Sequence, residues 1–204
     1  VDGETLDLNT ATAVNDFYRE LDMQSGLLKR SFQATLPSGK IVAVQTERFV
    51  SIVNDEIGAL SYSITPINFS GSIEICSYLD FDVENEDSNY DEKFWDEVKV
   101  GSNFVWSKTK KTGFEVITAQ QIEIQSNGQK IEAKASSTTR EKYSELAYTL
   151  SAKQGEKLTI IKYAVNISSE NHPTASFEKI ASDYLARISA KGFDQMLQEQ
   201  AAAW

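Results

Sequence analysis

The chain has 204 residues, with 30 acidic and 20 basic side chains for a formal charge of -10, and 41% apolar and 25% charged residues. Those proportions describe a folded globular domain with one strand-rich core, and no run approaches the roughly 18 apolar residues of a membrane-spanning helix. The acidic balance excludes duplex nucleic acid and anionic membrane surfaces as partners, and a lone cysteine, Cys76, excludes an internal disulfide and points to a reducing, cytoplasmic setting.

Val1-Asp2-Gly3-Glu4 opens the chain without an initiator methionine or a signal-like apolar run, and Gln200-Ala201-Ala202-Ala203-Trp204 closes it on a helix-forming stretch. Both ends read as cuts within a longer polypeptide. From Leu27 to Ile167 the dominant pattern is period-two alternation. Leu28, Phe32, Ala34 and Leu36 share one face while Lys29, Ser31, Gln33 and Thr35 share the other. Pro37-Ser38-Gly39 then predicts a hairpin into a strand from Ile41 to Ile52. Leu60, Tyr62 and Ile64 alternate with Ser61, Ser63 and Thr65, and Ile73, Ile75, Leu79 and Phe81 alternate with Ser72, Glu74 and Asp80.

The segment from Asp80 to Glu97 is acidic and aperiodic, and reads as a long exposed loop ending in a short helical turn at Phe94 and Trp95. Asp80, Asp82, Glu84, Glu86 and Asp87 supply hard oxygens suited to calcium, but the glycine of a helix-flanked calcium loop is missing, and a solvated acidic loop is the plainer reading. Packing is the plainer reading of the aromatic residues, and Tyr90 and Trp95 are the loop aromatics best placed to stack on a sugar ring. Farther on, Asn127-Gly128 predicts a two-residue hairpin joining Phe114, Val116, Ile122 and Ile124 to Ile131, Ala133 and Ala135. Lys111-Thr112-Gly113 and Gln154-Gly155-Glu156 read as two further hairpin loops, the second feeding a strand with Ile161, Tyr163, Val165 and Ile167 on one side.

After His172-Pro173 the period changes. Phe177, Ile180, Ala181, Tyr184, Leu185 and Ile188 form the stripe of an amphipathic helix, with Thr174 as its expected N-cap and Gly192 after its end. A second helix carries Phe193, Met196, Leu197, Ala201 and Trp204 on an apolar face that needs a partner surface. His172 is the only histidine and no nucleophile-elbow pattern accompanies any serine, so a helix-entry or surface histidine is expected there, and Cys76 reads as an inert packing thiol on a strand. No cofactor or metal motif is present.

Five segments in order carry a family likeness: Leu21-Asp22-Met23-Gln24-Ser25-Gly26-Leu27-Leu28-Lys29-Arg30, then Glu47-Arg48-Phe49-Val50-Ser51, Ile64-Thr65-Pro66-Ile67-Asn68-Phe69-Ser70-Gly71, Ser77-Tyr78-Leu79-Asp80 with Val83 and Asn85, and finally Gly192-Phe193-Asp194 with Trp204. Together they resemble the N-terminal domain of family 65 glycoside hydrolases and phosphorylases, with Phe81 departing from the glycine of that pattern. The resemblance implies a mainly β fold, a large antiparallel β-sandwich (a galactose mutarotase-like supersandwich) over residues 1–170 whose first strands are missing. It implies C-terminal linker helices over 171–204 leading to an (α/α)6 catalytic barrel of the same polypeptide. It further implies an α-linked glucose disaccharide and inorganic phosphate as the parent enzyme's substrates, a homodimer contact, and no catalytic residue in this chain. Asp80, Asp82, Asn85, Tyr90 and Trp95 would belong to a substrate-entrance loop. A free-standing carbohydrate-binding sandwich and a mutarotase-like enzyme are the competing readings.

Overall fold

In the computed structural model, residues 1–84, 86 and 92–204 are described, so Asn85 and Tyr90 of the expected entrance loop lie outside the described residues. The strands are β1 (Ala13–Asp22), β2 (Leu27–Thr35), β3 (Ile41–Val50), β4 (Ile57–Pro66), β5 (Gly71–Asp80), β6 (Trp95–Gly101), β7 (Phe104–Thr109), β8 (Glu115–Ser126), β9 (Gln129–Ile131), β10 (Ser136–Arg140), β11 (Tyr143–Ala152) and β12 (Leu158–Ser168). A 3-10 turn at Thr174–Ser176 leads into α1 (Phe177–Lys191) and α2 (Phe193–Ala203). The larger sheet runs β1-β2-β3-β4-β12-β8-β7-β6 with β9 paired to β8, the smaller runs β10-β11-β5, and every pairing is antiparallel.

The expected turns appear where glycine licenses them. Gly39 sits at φ 82° in the β2–β3 turn, and Asn127 and Gly128, at φ 48° and 81°, reverse the chain between β8 and β9. Two expected hairpins come out differently. The arm after Asn127-Gly128 pairs only to Ile131, and its continuation crosses to the smaller sheet as β10, with Ala133 and Ala135 packing into the core on the way. Gln154-Gly155-Glu156 joins β11 in one sheet to β12 in the other, so it is a corner between layers; Gly155 N donates to Pro66 O at 2.8 Å and pins it to the parallel corner from β4. Lys111-Thr112-Gly113 does close a hairpin, between β7 and β8.

The central strands are buried on both faces, which single-face alternation does not anticipate. Leu158 and Ile160 of β12 face the smaller sheet with Ile64, Ile73, Ile124, Tyr148 and Leu150. Their neighbours Ile161, Tyr163, Val165 and Ile167 face the opposite way, onto Phe177, Ala181, Leu185 and Ile188 of α1 and Phe193 and Met196 of α2. The molecule therefore has three layers: smaller sheet, larger sheet, helices. The first part of the apolar face of α2, Phe193, Met196 and Leu197, finds its surface within this chain, where Phe193 packs on Phe49 with ring centroids 5.5 Å apart, while Ala201 and Trp204 stay exposed. Thr174 does not cap α1, because the 3-10 turn takes up the first residues after Pro173. Gly192 ends α1 as expected, at φ 84° with its N–H on Ile188 O at 3.0 Å.

Candidate functional site

Three regions compete for a functional role, and the acidic segment is the first. Asp80 closes β5, and its carboxylate accepts the Asp82 N–H at 2.8 Å. The two oxygens of Asp82 are taken by Lys142 and Lys93, each at 2.8 Å, and these bonds hold its carboxyl at about 2. Lys142 is buried, sits at φ 55° in the β10–β11 turn, and presents its carbonyl to Phe81 N at 2.9 Å. Asp82 thus fastens the end of β5 to that turn. Trp95 is the first residue of β6 rather than part of a helical turn, and it is half-buried, edge-on to Phe81 at 5.2 Å. The strand was hidden because Trp95–Gly101 carries Asp96, Glu97 and Lys99 and a bulge between Glu97 and Lys99, which break the alternation. Among the described residues no group of three or more His, Cys, Asp or Glu is placed to hold a metal ion.

The second region is a groove of about 810 Å³ between the sheets, floored by Leu60, Tyr62 and Ile64 of β4 and Ile160 and Lys162 of β12, and walled by Ile73–Tyr78 of β5. Lys162 donates to Tyr78 O at 3.0 Å, and burial lowers its ammonium from the ordinary 10.5 to about 8. Alternation leaves Lys162 on the polar set, but only the crossing of the sheets shows that this set is covered. Cys76 is exposed on the far side of β5 rather than packed, and burial of its sulfur with the nearby Glu145 and Glu74 pushes the thiol up, away from thiolate reactivity.

The third region is the outer end of α2. Gln200 is buried; its Oε1 accepts Ile52 N at 2.8 Å while its Nε2 has no partner. The Trp204 indole N–H donates to Met23 O. Three of the motifs that carry the family likeness meet here: the β1–β2 turn, the end of β3, and the helix after Gly192. Around them Met23, Ile52, Val53 and Trp204 stay exposed, Met23 at 69% and Trp204 at 56%, while Leu21 and Val50, also exposed, project from the other face of the larger sheet. Nearby, Glu56 lies buried with its oxygens 2.8 and 3.0 Å from His172 Nε2 and 3.2 Å from Asn171 Nδ2. That pair ties the β3–β4 loop to the entry of α1, a role for His172 that its sequence neighbours do not reveal.

The sequence profile of the glycosyl hydrolase family 65 N-terminal domain matches residues 1–204. The chain belongs to this family. It is 28% identical over 208 residues to maltose phosphorylase of Bacillus subtilis (strain 168), covering 100% of this chain and 27% of the relative. It is 26% identical over 219 residues to alpha,alpha-trehalose phosphorylase of Thermoanaerobacter brockii, covering 98% and 27%. A solved structure from the human microbiome, assigned as a kojibiose phosphorylase, superposes with a TM-score of 0.81 over 97% of this chain and 25% of that one, at 22% identity, and supports the sandwich fold. The family 65 chain described here therefore spans about a quarter of the length of its relatives. Among the described residues no helix is long and apolar enough to cross a membrane.

Proposed function

We propose that this family 65 domain is a non-catalytic part of a cytoplasmic disaccharide phosphorylase or hydrolase, and that it acts by seating the catalytic region of the same polypeptide on the apolar face around α2. The carrying observation is that face: Met23, Ile52, Val53 and Trp204 stay exposed on a platform made by the Gln200–Ile52 and Trp204–Met23 bonds. Scattered exposed apolar residues need no explanation, but a gathered group on locked backbone marks an interaction surface. The occupant is taken to be an (α/α)6 barrel following Trp204. An α-linked glucose disaccharide and inorganic phosphate are taken as the parent's substrates, with a homodimer contact elsewhere. Asp80, Asp82, Asn85, Tyr90 and Trp95 are assigned to the approach to that catalytic region, the Asp82 clamp holding the base of the segment.

Oxidative footprinting tests the seating. Met23 and Trp204 are expected to be oxidised readily in the 204-residue chain and to be protected in the parent enzyme, and equal rates in both would contradict it. A second reading, a free-standing carbohydrate-binding module, is favoured by one feature: Tyr78, 56% exposed, stacks on Tyr143 at 5.8 Å while Arg140 lies 3.9 Å from the Tyr143 ring. Calorimetric binding of maltose to this chain alone would support it.

A further inference from the structure

The bulge near the start of β1 changes what that strand presents. Asn15 pairs with Gln33 and Tyr18 with Ser31, so β1 advances one residue more than β2 between them, and Asp16 takes φ 52° to allow it. Without the extra residue, alternation from Asn15 would bring Phe17 opposite Ser31. With it, Phe17 turns to the inner face, where it stacks on Phe32 at 6.2 Å, and Tyr18 turns to the face that carries the helices and stays exposed there. Bulges re-aim side chains in this way, and a non-glycine residue held at positive φ beside one marks a position where the re-aiming matters.

Tyr18 forms one rim of a cleft of about 350 Å³ on that face. Strand pairing sets the surrounding side chains in two rows: Tyr18, Ser31, Gln45 and Ser63 in one, Glu20, Lys29, Glu47 and Ser61 in the next. All of them project to the side on which Leu27, Phe49 and Ala59 meet the helices. No aliphatic side chain lines the cleft, so it lacks the apolar centre of a protein interface.

What the cleft holds is unused hydrogen-bonding capacity. Lys29 and Glu47 stand opposite each other on β2 and β3, yet among the described residues neither makes an ion pair or a side-chain hydrogen bond. The hydroxyls of Tyr18, Ser31 and Ser61 are likewise without a protein partner among the described residues. Lys157 Nζ donates to Gln45 Oε1 at 3.0 Å, which leaves the Gln45 amide N–H groups to donate elsewhere. A sugar hydroxyl both donates and accepts, so one placed between an ammonium and a carboxylate satisfies both. A free anion would meet Glu47, and a free cation Lys29. An exposed flat ring at the rim matches the C–H face of a pyranose. The volume falls at the small end of ligand pockets, about 300–1,000 Å³, as a mono- or disaccharide requires.

We propose that this cleft binds a neutral saccharide, with a ring stacked on Tyr18 and hydroxyls bridging Lys29 and Glu47. The site does not depend on the seating of the catalytic region. It also lies across the molecule from Tyr78 and Tyr143, which sit on the outer face of the smaller sheet.

Calorimetric titration of the 204-residue chain with maltose tests it. Maltose is expected to bind, Tyr18→Ala to weaken binding about tenfold, and Glu47→Ala to weaken it by a similar factor, while Tyr78→Ala changes nothing. Absence of binding overturns the proposal, and so does binding of inorganic phosphate in place of maltose. Binding that survives Tyr18→Ala and is lost in Tyr78→Ala overturns it too, since the sugar would then sit on the smaller sheet. Should a variant fail to fold, the unaltered chain decides by nuclear magnetic resonance. Maltose is expected to shift the amide signals of Ser31, Gln45, Glu47 and Ser61 and to leave those of β5 and β11 in place, and the reverse pattern overturns the site. Failure here leaves the seating untouched, because protection of Met23 and Trp204 reports on that separately.

Discussion

Gly26→Val is expected to cost about 2–5 kcal/mol, combining left-handed strain with overpacking, and to release the end of α2 from the sheet. Gly26 sits at φ 63°, and a Cβ there would lie 2.7 Å from Gln200 Nε2 and 3.2 Å from the Trp204 ring. Gln200 cannot retreat without giving up Ile52 N, and Trp204 is held by Met23 O. Both bonds therefore fail together, and the platform under the exposed apolar face goes with them. Gly39→Val is the control: its φ of 82° imposes comparable strain, but nothing lies within 4 Å of its Cβ, so only about 1–2 kcal/mol is expected. Urea denaturation of the two variants measures the difference, and equal losses would mean that the α2 contact adds nothing.

Lys162→Met is expected to stabilise the chain by about 1–3 kcal/mol at pH 7. Burial lowers the Lys162 ammonium from 10.5 to about 8, and at about 1.4 kcal/mol per tenfold in proton affinity the upper bound is about 3 kcal/mol; the lost bond to Tyr78 O offsets part of it. The sign follows from proton counts. Below pH 8 both folded and unfolded chains carry the charge and the full burial cost is present. Between about 8 and 10.5 the folded chain has released the proton while the unfolded chain keeps it, so the unfolded state binds more protons and stability rises with pH. The advantage of the methionine variant should thus shrink across that window, read from denaturation midpoints at pH 7 and 10. A variant less stable at both would show that the Tyr78 bond outweighs the buried charge.

What could be read from the residues was what is local. Pro37-Ser38-Gly39 and Asn127-Gly128 fall where they were expected because each turn carries its own torsional requirement. The α1 stripe was legible because Phe177, Ala181, Leu185 and Ile188 all meet one surface. β1 is illegible in the sequence because Asn15, Asp16, Arg19 and Glu20 crowd an exposed, bulged edge strand. The crossing of β11 to β12 between sheets was illegible because Gln154-Gly155-Glu156 has the chemistry of a hairpin turn, and only its docking on Pro66 makes it a corner. The ties that shape the candidate surfaces join residues far apart in the chain: Ile52 to Gln200, Glu56 to His172, Tyr78 to Lys162. No periodicity within one element encodes such pairs. The family likeness pointed to the same places without supplying a reason, and three of its motifs prove to be the walls of one junction around Gln200 and Trp204.

The central claim is that this family 65 domain supports chemistry carried out elsewhere in its polypeptide. Incubating the purified 204-residue chain, beside the parent enzyme, with an α-linked glucose disaccharide and inorganic phosphate tests it most directly. Sugar phosphate should accumulate with the parent and not with the chain alone; release of either sugar product by the chain alone would contradict the account.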